Sequence, residues 1–336
     1  MLSPRTLGAP RKFSAFHPQQ YDALMRFIDS DARFMACTIP TGGGKSLCAW
    51  ALGAITGLRT LILTATKQLQ SQYEADFSAH RLVDIRGQQN YVCRAVEPGG
   101  VLQRYHFSSY ALMCDKAPCH HGVYCKLIQG GCEYYDAQAV AHDSPTVLSN
   151  YDYWLAQGKL LSAGLLKEEP LGQFELIVCD EADEAVKKVS GALKVELREE
   201  ELRRYIGMPL LMHDARPSDW AGWAQKALPG VNDMMGELRR EVSRVGLIGA
   251  TASAMTALRR IREGLERVSS IDEDWVITRA IERSGARDGA GAGAKVMFEA
   301  VEPARYCEEL LYRGVGRIVL MSATLTERDV RELGAA

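Results

Sequence analysis

Short, uninterrupted apolar runs alternate with stretches of helical periodicity along most of the chain. The runs lie at residues 34–38, 60–64, 146–149, 175–179 and 317–321. A strand that is buried on both faces has a continuous apolar run, whereas a half-exposed strand alternates. Because helical patterns separate the runs, the strands have the crossovers that parallel connections need. The pattern predicts an α/β fold with a doubly wound parallel sheet.

Two segments interrupt this alternation. Residues 93–132 are rich in Cys, His and Gly and have no clean period. Residues 184–299 are predicted to be mainly helical, and they end in a Gly/Ala stretch at 285–294 that is typical of a flexible linker. The apolar strand pattern resumes at Val296. The expected core anchors of the second insert are Trp220, Trp223 and Trp275.

Composition narrows the class of protein. The 336 residues are 47% hydrophobic, which suits a globular chain of one large or a few small domains and argues against disorder. The net charge of −2 excludes a strongly basic protein but leaves room for a local groove that binds phosphates. No apolar run approaches the ~18–20 residues of a membrane span, and the N-terminus has no apolar signal region. We expect a cytoplasmic protein without a membrane partner.

A glycine-rich loop with the sequence IPTGGGKS, residues 39–46, follows the first predicted strand and precedes a predicted helix. Such a loop closes backbone N–H groups around phosphate oxygens, and the helix dipole favours the negative charge. Lys45 is expected to reach the β- and γ-phosphates, and Ser46 to bind Mg²⁺. The alternative is a glycine-rich turn without a ligand. The predicted nucleotide-binding residues of the loop are Thr41, Gly42, Gly43, Gly44, Lys45 and Ser46.

Two carboxylates, Asp180 and Glu181, follow the apolar run at 175–179. Ligands bind at the carboxyl ends of strands in open α/β sheets. Asp180 is therefore expected to hold Mg²⁺, and Glu181 to orient and deprotonate an attacking water. A solvated, acid-rich helix N-terminus is the other interpretation. Ser322 and Thr324 end another apolar run and can hydrogen-bond to the same site.

Five of the nine cysteines lie between residues 93 and 132, namely Cys93, Cys114, Cys119, Cys125 and Cys132. An odd total and the lack of a visible export signal argue against a disulfide framework. Four thiolates suit either a 4Fe–4S cluster or a structural zinc ion, and the spacing lacks the CxxC pairs of zinc ribbons. Three possibilities stay open: an iron–sulfur cluster, a zinc site completed by His120 or His121, and unrelated thiols.

Together these residues resemble the XPD/DinG-like iron–sulfur helicases of superfamily 2. Residues 40–46 match that family's phosphate-loop motif, residues 64–67 look like motif Ia, and residues 180–183 stand at motif II. Residues 322–324 stand at motif III, and Gln20 matches the upstream glutamine that reads adenine. Motif II is DEAD here, where the family usually has DEAH. The resemblance implies a RecA-like P-loop parallel sheet with a Cys-rich cluster insert and a mainly helical arch insert.

The resemblance also implies cluster ligands and domain limits. The first ligand of the family follows an Asn-Tyr-like step, as Cys93 does, and the last precedes an aromatic pair, as Cys132 does. Close spacing of the last three ligands adds Cys119 and Cys125, with Cys114 as an alternative to Cys119. The implied domains are a RecA-like lobe in three parts (1–92, 133–183 and 300–336), a cluster domain (93–132) and an arch-like insert (184–299).

The function that the resemblance implies is that of an ATP-dependent DNA helicase moving 5′→3′, with ATP, Mg²⁺ and a 4Fe–4S cluster. Its partners would be single-stranded DNA or a forked duplex. The sequence contains no QxxGRxxR-like string and ends soon after Thr324. We therefore expect a fragment that needs a second RecA-like lobe and hydrolyses ATP poorly without it. The alternatives are a nucleotide- and DNA-binding regulatory module and a redox-sensing iron–sulfur protein with a vestigial ATP site.

Overall fold

The computed structural model of the chain describes residues 2–103, 112–121, 123–164, 166–211, 215–245, 249–282 and 293–335. The chain divides into two compact units. Unit 1 consists of residues 1–87, 136–192 and 302–336. Unit 2 consists of residues 88–135 and 193–301, so the Cys-rich segment and most of the second insert belong to one unit.

The helices are α1 (Pro18–Asp29), α2 (Lys45–Thr56), α3 (Lys67–Phe77), α4 (Glu133–His142), α5 (Tyr151–Ser162), α6 (Ala182–Leu193), α7 (Glu199–Ile206), α8 (Pro217–Val245), α9 (Gly249–Val268) and α10 (Glu327–Glu332). The strands are β1 (Phe34–Thr38), β2 (Thr60–Thr64), β3 (Leu82–Asp84), β4 (Thr146–Asn150), β5 (Leu176–Asp180), β6 (Val195–Arg198), β7 (Trp275–Glu282), β8 (Gly293–Ala300) and β9 (Arg317–Ser322).

Unit 1 is built on a parallel sheet with the strand order β1-β9-β5-β2-β4-β3. The register aligns Val178 of β5 with Ile62 of β2 on one side and with Val319 of β9 on the other. Because every pairing is parallel, the carboxyl ends of all six strands meet at one edge of the sheet. The predicted α/β fold with a parallel sheet is confirmed.

The core of unit 1 lies in the middle of this sheet. Every residue of β2, β4 and β5 is buried, as the continuous apolar runs predict for strands covered on both faces. The five runs correspond to β1, β2, β4, β5 and β9, with ends that shift by at most one residue. The sixth strand, β3, was not predicted because its three residues are too few to show a period.

Unit 2 contains an antiparallel sheet in the order β6-β8-β7 beside the helices α7, α8 and α9. The predicted anchors are buried, since Trp220, Trp223 and Trp275 are at most 7% exposed. The Trp220 ring packs edge-on against Phe298 of β8, with centroids 5.2 Å apart. The second insert is mainly helical, as expected, and it also contains three strands. The Gly/Ala stretch falls largely outside the described residues.

The missed strands have a physical explanation. In β7 the buried Trp275 is followed by the exposed Val276, the alternation of a strand with one solvated face. Because Arg- and Glu-rich helical segments surround this short alternating stretch, the sequence pattern of the region is predominantly helical. Val296, where we expected the apolar strand pattern to resume, does lie in a strand, β8, which pairs with β6 and β7. No helix within the described ranges is long and apolar enough to cross a membrane.

Candidate nucleotide site and thiol group

The phosphate loop joins the end of β1 to the start of α2. Its first residue, Ile39, donates its N–H to the carbonyl of Ser322 at the end of β9 (3.0 Å). Gly44 has a left-handed φ of +74°, which favours glycine, and α2 begins at the next residue. A Cβ on Gly43 would lie 2.8 Å from Ile39 Cγ2 and 2.9 Å from the carbonyl oxygen of Pro40. The tight backbone of the loop therefore requires small residues.

Lys45 is the first residue of α2, and its ammonium turns back over the loop. The Nζ atom lies 3.5 Å from the carbonyl oxygen of Ile39, to which it donates. Ser46 follows in the first helical turn, and Thr41 and Gly42 are exposed at the tip of the loop. The loop thus has the strand-loop-helix context that the phosphate-binding interpretation requires.

Gln20 of α1 contacts the phosphate loop directly. Its Nε2 donates to the carbonyl of Gly43 (2.8 Å), and its Oε1 accepts the N–H of His17 (2.8 Å). The side chain is buried, and a Cβ on Gly44 would lie only 2.3 Å from Nε2. Gln20 therefore joins the N-terminus of α1 to the loop.

The carboxylates lie at the carboxyl end of β5. Asp180 is buried; its Oδ2 accepts the hydroxyl of Tyr73 (2.7 Å) and its Oδ1 accepts the N–H of Glu181 (2.9 Å). Burial raises the pKa of Asp180, while these hydrogen bonds and the charge of Lys45 partly offset the rise. Glu181 has an unusual left-handed φ of +54°.

Burial raises the pKa of Glu181, and the nearby charges of Asp180 and Asp183 raise it further, while Lys45 lowers it. Lys45 is therefore close enough to act electrostatically on both carboxylates. A carboxyl group with a raised pKa is a better proton acceptor, as general-base chemistry needs. We call the place where Lys45, Asp180 and Glu181 meet the nucleotide edge.

Asp183 connects motif II to the end of β9. Its Oδ1 accepts the Ser322 hydroxyl (2.5 Å) and its Oδ2 accepts the Thr324 hydroxyl (2.6 Å). Burial alone would raise the pKa of Asp183, but these two hydrogen bonds outweigh it and the pKa is lowered. The Asp at the fourth position of motif II thus bonds directly to the hydroxyls of motif III.

The cysteines of unit 2 come together through a short antiparallel bridge between Val92 and Met113. Cys93 donates its N–H to Leu112 (2.7 Å), and Cys114 donates its N–H to Tyr91 (2.8 Å). This bridge brings two cysteines that are 21 positions apart in the sequence into neighbouring positions.

Four thiols form one group, Cys93, Cys114, Cys125 and Cys132, which we call the thiol group. A hydrogen bond with Cys93 is the main cause of the raised pKa of Cys114, followed by burial and the charge of Cys132. Burial raises the pKa of Cys125, and the charges of Cys93 and Cys132 add to it. Within the described residues, no three His, Cys, Asp or Glu side chains have the geometry to hold a single metal ion. Cys114 instead hydrogen-bonds to Cys93 and to Cys132.

Cys119 lies near Tyr135, on which three members of the thiol group also act. Its charge acts on Arg259 of α9 and on Tyr135. Burial and the charges of the surrounding cysteines raise the pKa of Tyr135 to about 12. Cys114 hydrogen-bonds to Cys93 and to Cys132, which favours it as the partner of these two cysteines. The side chains of His120 and His121 lie outside the described residues.

Aromatic residues surround the thiol group. Tyr134 is buried and packs edge-on against Tyr91 (5.6 Å between centroids) and Tyr135 (5.1 Å). Tyr124 is 69% exposed. Arg94 forms an exposed ion pair with Glu133, in which its Nε donates to Oε1 over 2.8 Å. Three of the four described tyrosines therefore pack together rather than offering open stacking faces.

Sequence reasoning did not find the buried hydroxyls that surround Asp180. Tyr73 bonds to its carboxylate, and Tyr151 of α5 donates to its carbonyl (3.0 Å). The sequence signal that could have indicated them is a tyrosine on an otherwise apolar helix face, because a buried tyrosine hydroxyl needs a hydrogen-bond partner.

Comparison with known proteins identifies the fold. The chain matches a solved XPD helicase with a TM-score of 0.56 and 14% identity, over 94% of this chain and 60% of that one. It also matches a truncated XPD with a TM-score of 0.53 and 13% identity, over 94% and 96% of the two chains. No protein-family model and no curated protein matches. The chain thus has an XPD-like helicase fold and spans about three fifths of that XPD helicase.

Proposed function

We propose that this chain is the ATP-binding motor lobe of a DNA helicase. The observation that carries the proposal is the convergence of Lys45, Asp180 and Glu181 at the nucleotide edge of a parallel sheet. Phosphoryl transfer to water uses this set of groups: a cation of the phosphate loop, a buried carboxylate opposite it, and a second carboxylate whose pKa is raised. The XPD-like fold supports the same assignment.

In this proposal each side chain has one task. The N–H groups of the loop and the Lys45 ammonium bind the β- and γ-phosphates. Ser46 and Asp180 hold Mg²⁺, which neutralises the charge that develops on the phosphates. Glu181 orients the attacking water and accepts its proton. Gln20, which already contacts the loop, reads the adenine edge.

Motif III supplies the connection to movement. Asp183 bonds to Ser322 and Thr324, so a shift of motif II on hydrolysis would pull the end of β9 with it. A second RecA-like lobe closing over the γ-phosphate would convert that shift into translocation along single-stranded DNA or into a forked duplex. We propose a 5′→3′ direction, on the resemblance in the motifs alone.

An ATPase measurement tests the motor function. With a second RecA-like lobe present, fused or in trans, we expect MgATP hydrolysis that single-stranded DNA stimulates. Lys45→Ala, which removes the lysine of the phosphate loop, is the negative control. Lys226→Ala, which removes an exposed lysine of α8, is the matched control. Binding of MgATP and DNA without stimulated turnover would contradict the motor and favour a regulatory module. Activity that depends on the cysteines but survives Lys45→Ala would favour a redox sensor.

We propose further that the thiol group holds a 4Fe–4S cluster through Cys93, Cys114, Cys125 and Cys132. Cys114 hydrogen-bonds to Cys93 and Cys132, and the charges of these two act on Cys125, so the segment offers the four thiols that such a cluster uses. This choice replaces Cys119 by Cys114, because Cys114 hydrogen-bonds to Cys93 and Cys132. The domains proposed from the sequence motifs, a cluster domain at 93–132 and an arch-like insert at 184–299, would carry the DNA-facing parts.

Two matched variants test the ligand set. After anaerobic purification, the unaltered chain should be brown and contain iron and acid-labile sulfide in equal amounts. Cys119→Ser should keep both, whereas Cys114→Ser should lose both. The opposite result would restore Cys119 as a ligand. A colourless protein with one zinc ion would exclude the cluster.

A further inference from the structure

The Asp180 carboxylate is held by two donors that approach different oxygens. Tyr73 donates its hydroxyl to Oδ2 (2.7 Å), and Glu181 donates its N–H to Oδ1 (2.9 Å). An ionised carboxylate has about four acceptor positions, so each oxygen keeps one position for another partner. The two hydrogen bonds therefore fix the orientation of the carboxylate without using all of its acceptor capacity.

Tyr73 has little freedom to move. It is fully buried on α3, and its ring packs against Phe77 one turn later, with centroids 6.1 Å apart. A buried tyrosine hydroxyl needs an acceptor, and Asp180 provides one. The hydroxyl is therefore positioned by the packing of the ring.

Helix α3 is itself anchored next to the same edge of the sheet. Gln70, one turn before Tyr73, is fully buried. Its Nε2 donates to the carbonyl of Ile85 (3.1 Å), and its Oε1 accepts from Asn150 (3.0 Å). Asn150 in turn caps α5 by accepting the N–H of Tyr153 (2.9 Å). The helix that carries Tyr73 is thus tied to the ends of β3 and β4.

We propose that Tyr73 is a positioning residue for the metal site, a role that rests on the proposed function of Asp180. Its hydroxyl holds Oδ2 so that the free side of the carboxylate receives Mg²⁺ with a bound nucleotide. Outer partners of this kind orient a metal ligand before binding, and their loss commonly lowers metal affinity by about 10–100-fold. Without the hydroxyl, the carboxylate rotates and has to be reoriented when the metal binds.

Tyr151 offers a matched control. It is also fully buried and donates its hydroxyl to Asp180, but to the backbone carbonyl (3.0 Å). Tyr151→Phe removes a buried hydrogen bond from the same residue without releasing the carboxylate. Both substitutions delete a buried tyrosine hydroxyl. Tyr73→Phe releases the carboxylate of Asp180, whereas Tyr151→Phe releases its backbone carbonyl and the thiol of Cys179.

The test measures binding of a fluorescent ATP analogue while Mg²⁺ is titrated. We expect Tyr73→Phe to raise the Mg²⁺ concentration at half-saturation by about tenfold or more. Binding of the analogue without metal should stay unchanged, and Tyr151→Phe should keep the half-saturation of the unaltered chain. Equal midpoints for the two variants, or a lower midpoint for Tyr73→Phe, would overturn the inference. If the unaltered chain shows no Mg²⁺-dependent binding, the proposed function itself fails.

A second measurement covers the case in which Tyr73→Phe does not fold. The chain is labelled with 3-fluorotyrosine at position 73 alone, and a separate sample carries the label at position 151. Addition of Mg²⁺ with nucleotide should shift the fluorine resonance at position 73 more than that at position 151. An equal or smaller shift at position 73 would contradict a contact with the metal-binding carboxylate.

Discussion

The nucleotide edge and the thiol group are assembled in opposite ways. At the nucleotide edge, Asp180 ends a strand whose residues are all buried, and the phosphate loop starts from β1. In unit 2, the thiols lie on short turns, a bridge between Val92 and Met113 joins two of these turns, and Cys114 hydrogen-bonds to Cys93 and Cys132. The first site is held by the core of a sheet. The second is expected to depend for its order on the cluster that we propose.

The largest effect is expected at the nucleotide edge. Lys45→Ala should lower MgATP hydrolysis by about 10²–10³-fold, the loss typical when one preorganised electrostatic group is removed. Because the thiol group lies in the other unit, its iron content should not change. Steady-state kinetics and iron analysis on the same preparation check both points. Loss of iron from this variant would show that the two regions do not form independently.

A substitution in the thiol group should affect only unit 2. Cys93→Ser removes one proposed ligand, so the segment 93–132 should lose the order that its ligand provides. Limited proteolysis should then cut within this segment, while fluorescent nucleotide binding by unit 1 survives. Cys37→Ser, a half-buried cysteine of β1, serves as the control. Uniform digestion of the whole chain would contradict the difference between the regions.

A smaller effect concerns stability at the nucleotide edge. Burial and the charges of Asp180 and Asp183 raise the pKa of Glu181 in the folded chain. A folded state with the higher pKa binds the proton more tightly, so stability falls as pH rises through that pKa. At a pH above the raised pKa, where Glu181 is ionised, Glu181→Gln should therefore raise the thermal midpoint by about 1–3 °C.

This gain should shrink as the pH falls through the raised pKa, because Glu181 is then neutral in the folded protein. Hydrolysis should be lost in the same variant. Calorimetry over a pH series checks the trend, with the neighbouring Glu184→Gln as the control. A gain that does not depend on pH would mean that charge is not its cause.

The smallest effect is expected at the surface near the thiol group. Arg94 is exposed and paired with Glu133, so Arg94→Ala should leave the thermal midpoint unchanged. If Arg94 contacts a DNA phosphate, the salt dependence of single-stranded DNA binding should fall by about one unit in its log–log slope. An unchanged slope would assign Arg94 to its ion pair with Glu133 alone.

Sequence patterns predicted the parts of this chain that depend on local or periodic order. The apolar runs gave five of the six strands in the parallel sheet, and the loop ending in Lys45 has the expected strand-loop-helix context. Both follow from short-range rules, namely two-sided burial of strands and the backbone needs of a phosphate loop. In the sheet of unit 2, the apolar pattern at Val296 predicted β8, whereas β6 and β7 were missed because they lie among strongly helical segments.

Only the tertiary structure decided which distant side chains meet. Tyr73 and Asp180 are 107 positions apart, and no period links them; the packing of α3 on β2, β3 and β4 lets Tyr73 reach the end of β5. In the same way, the sequence favoured Cys119 with Cys114 as the alternative, whereas the bridge between Val92 and Met113 brings Cys114 next to Cys93. Local patterns determine elements, whereas long-range pairing of those elements selects the partners of each polar group.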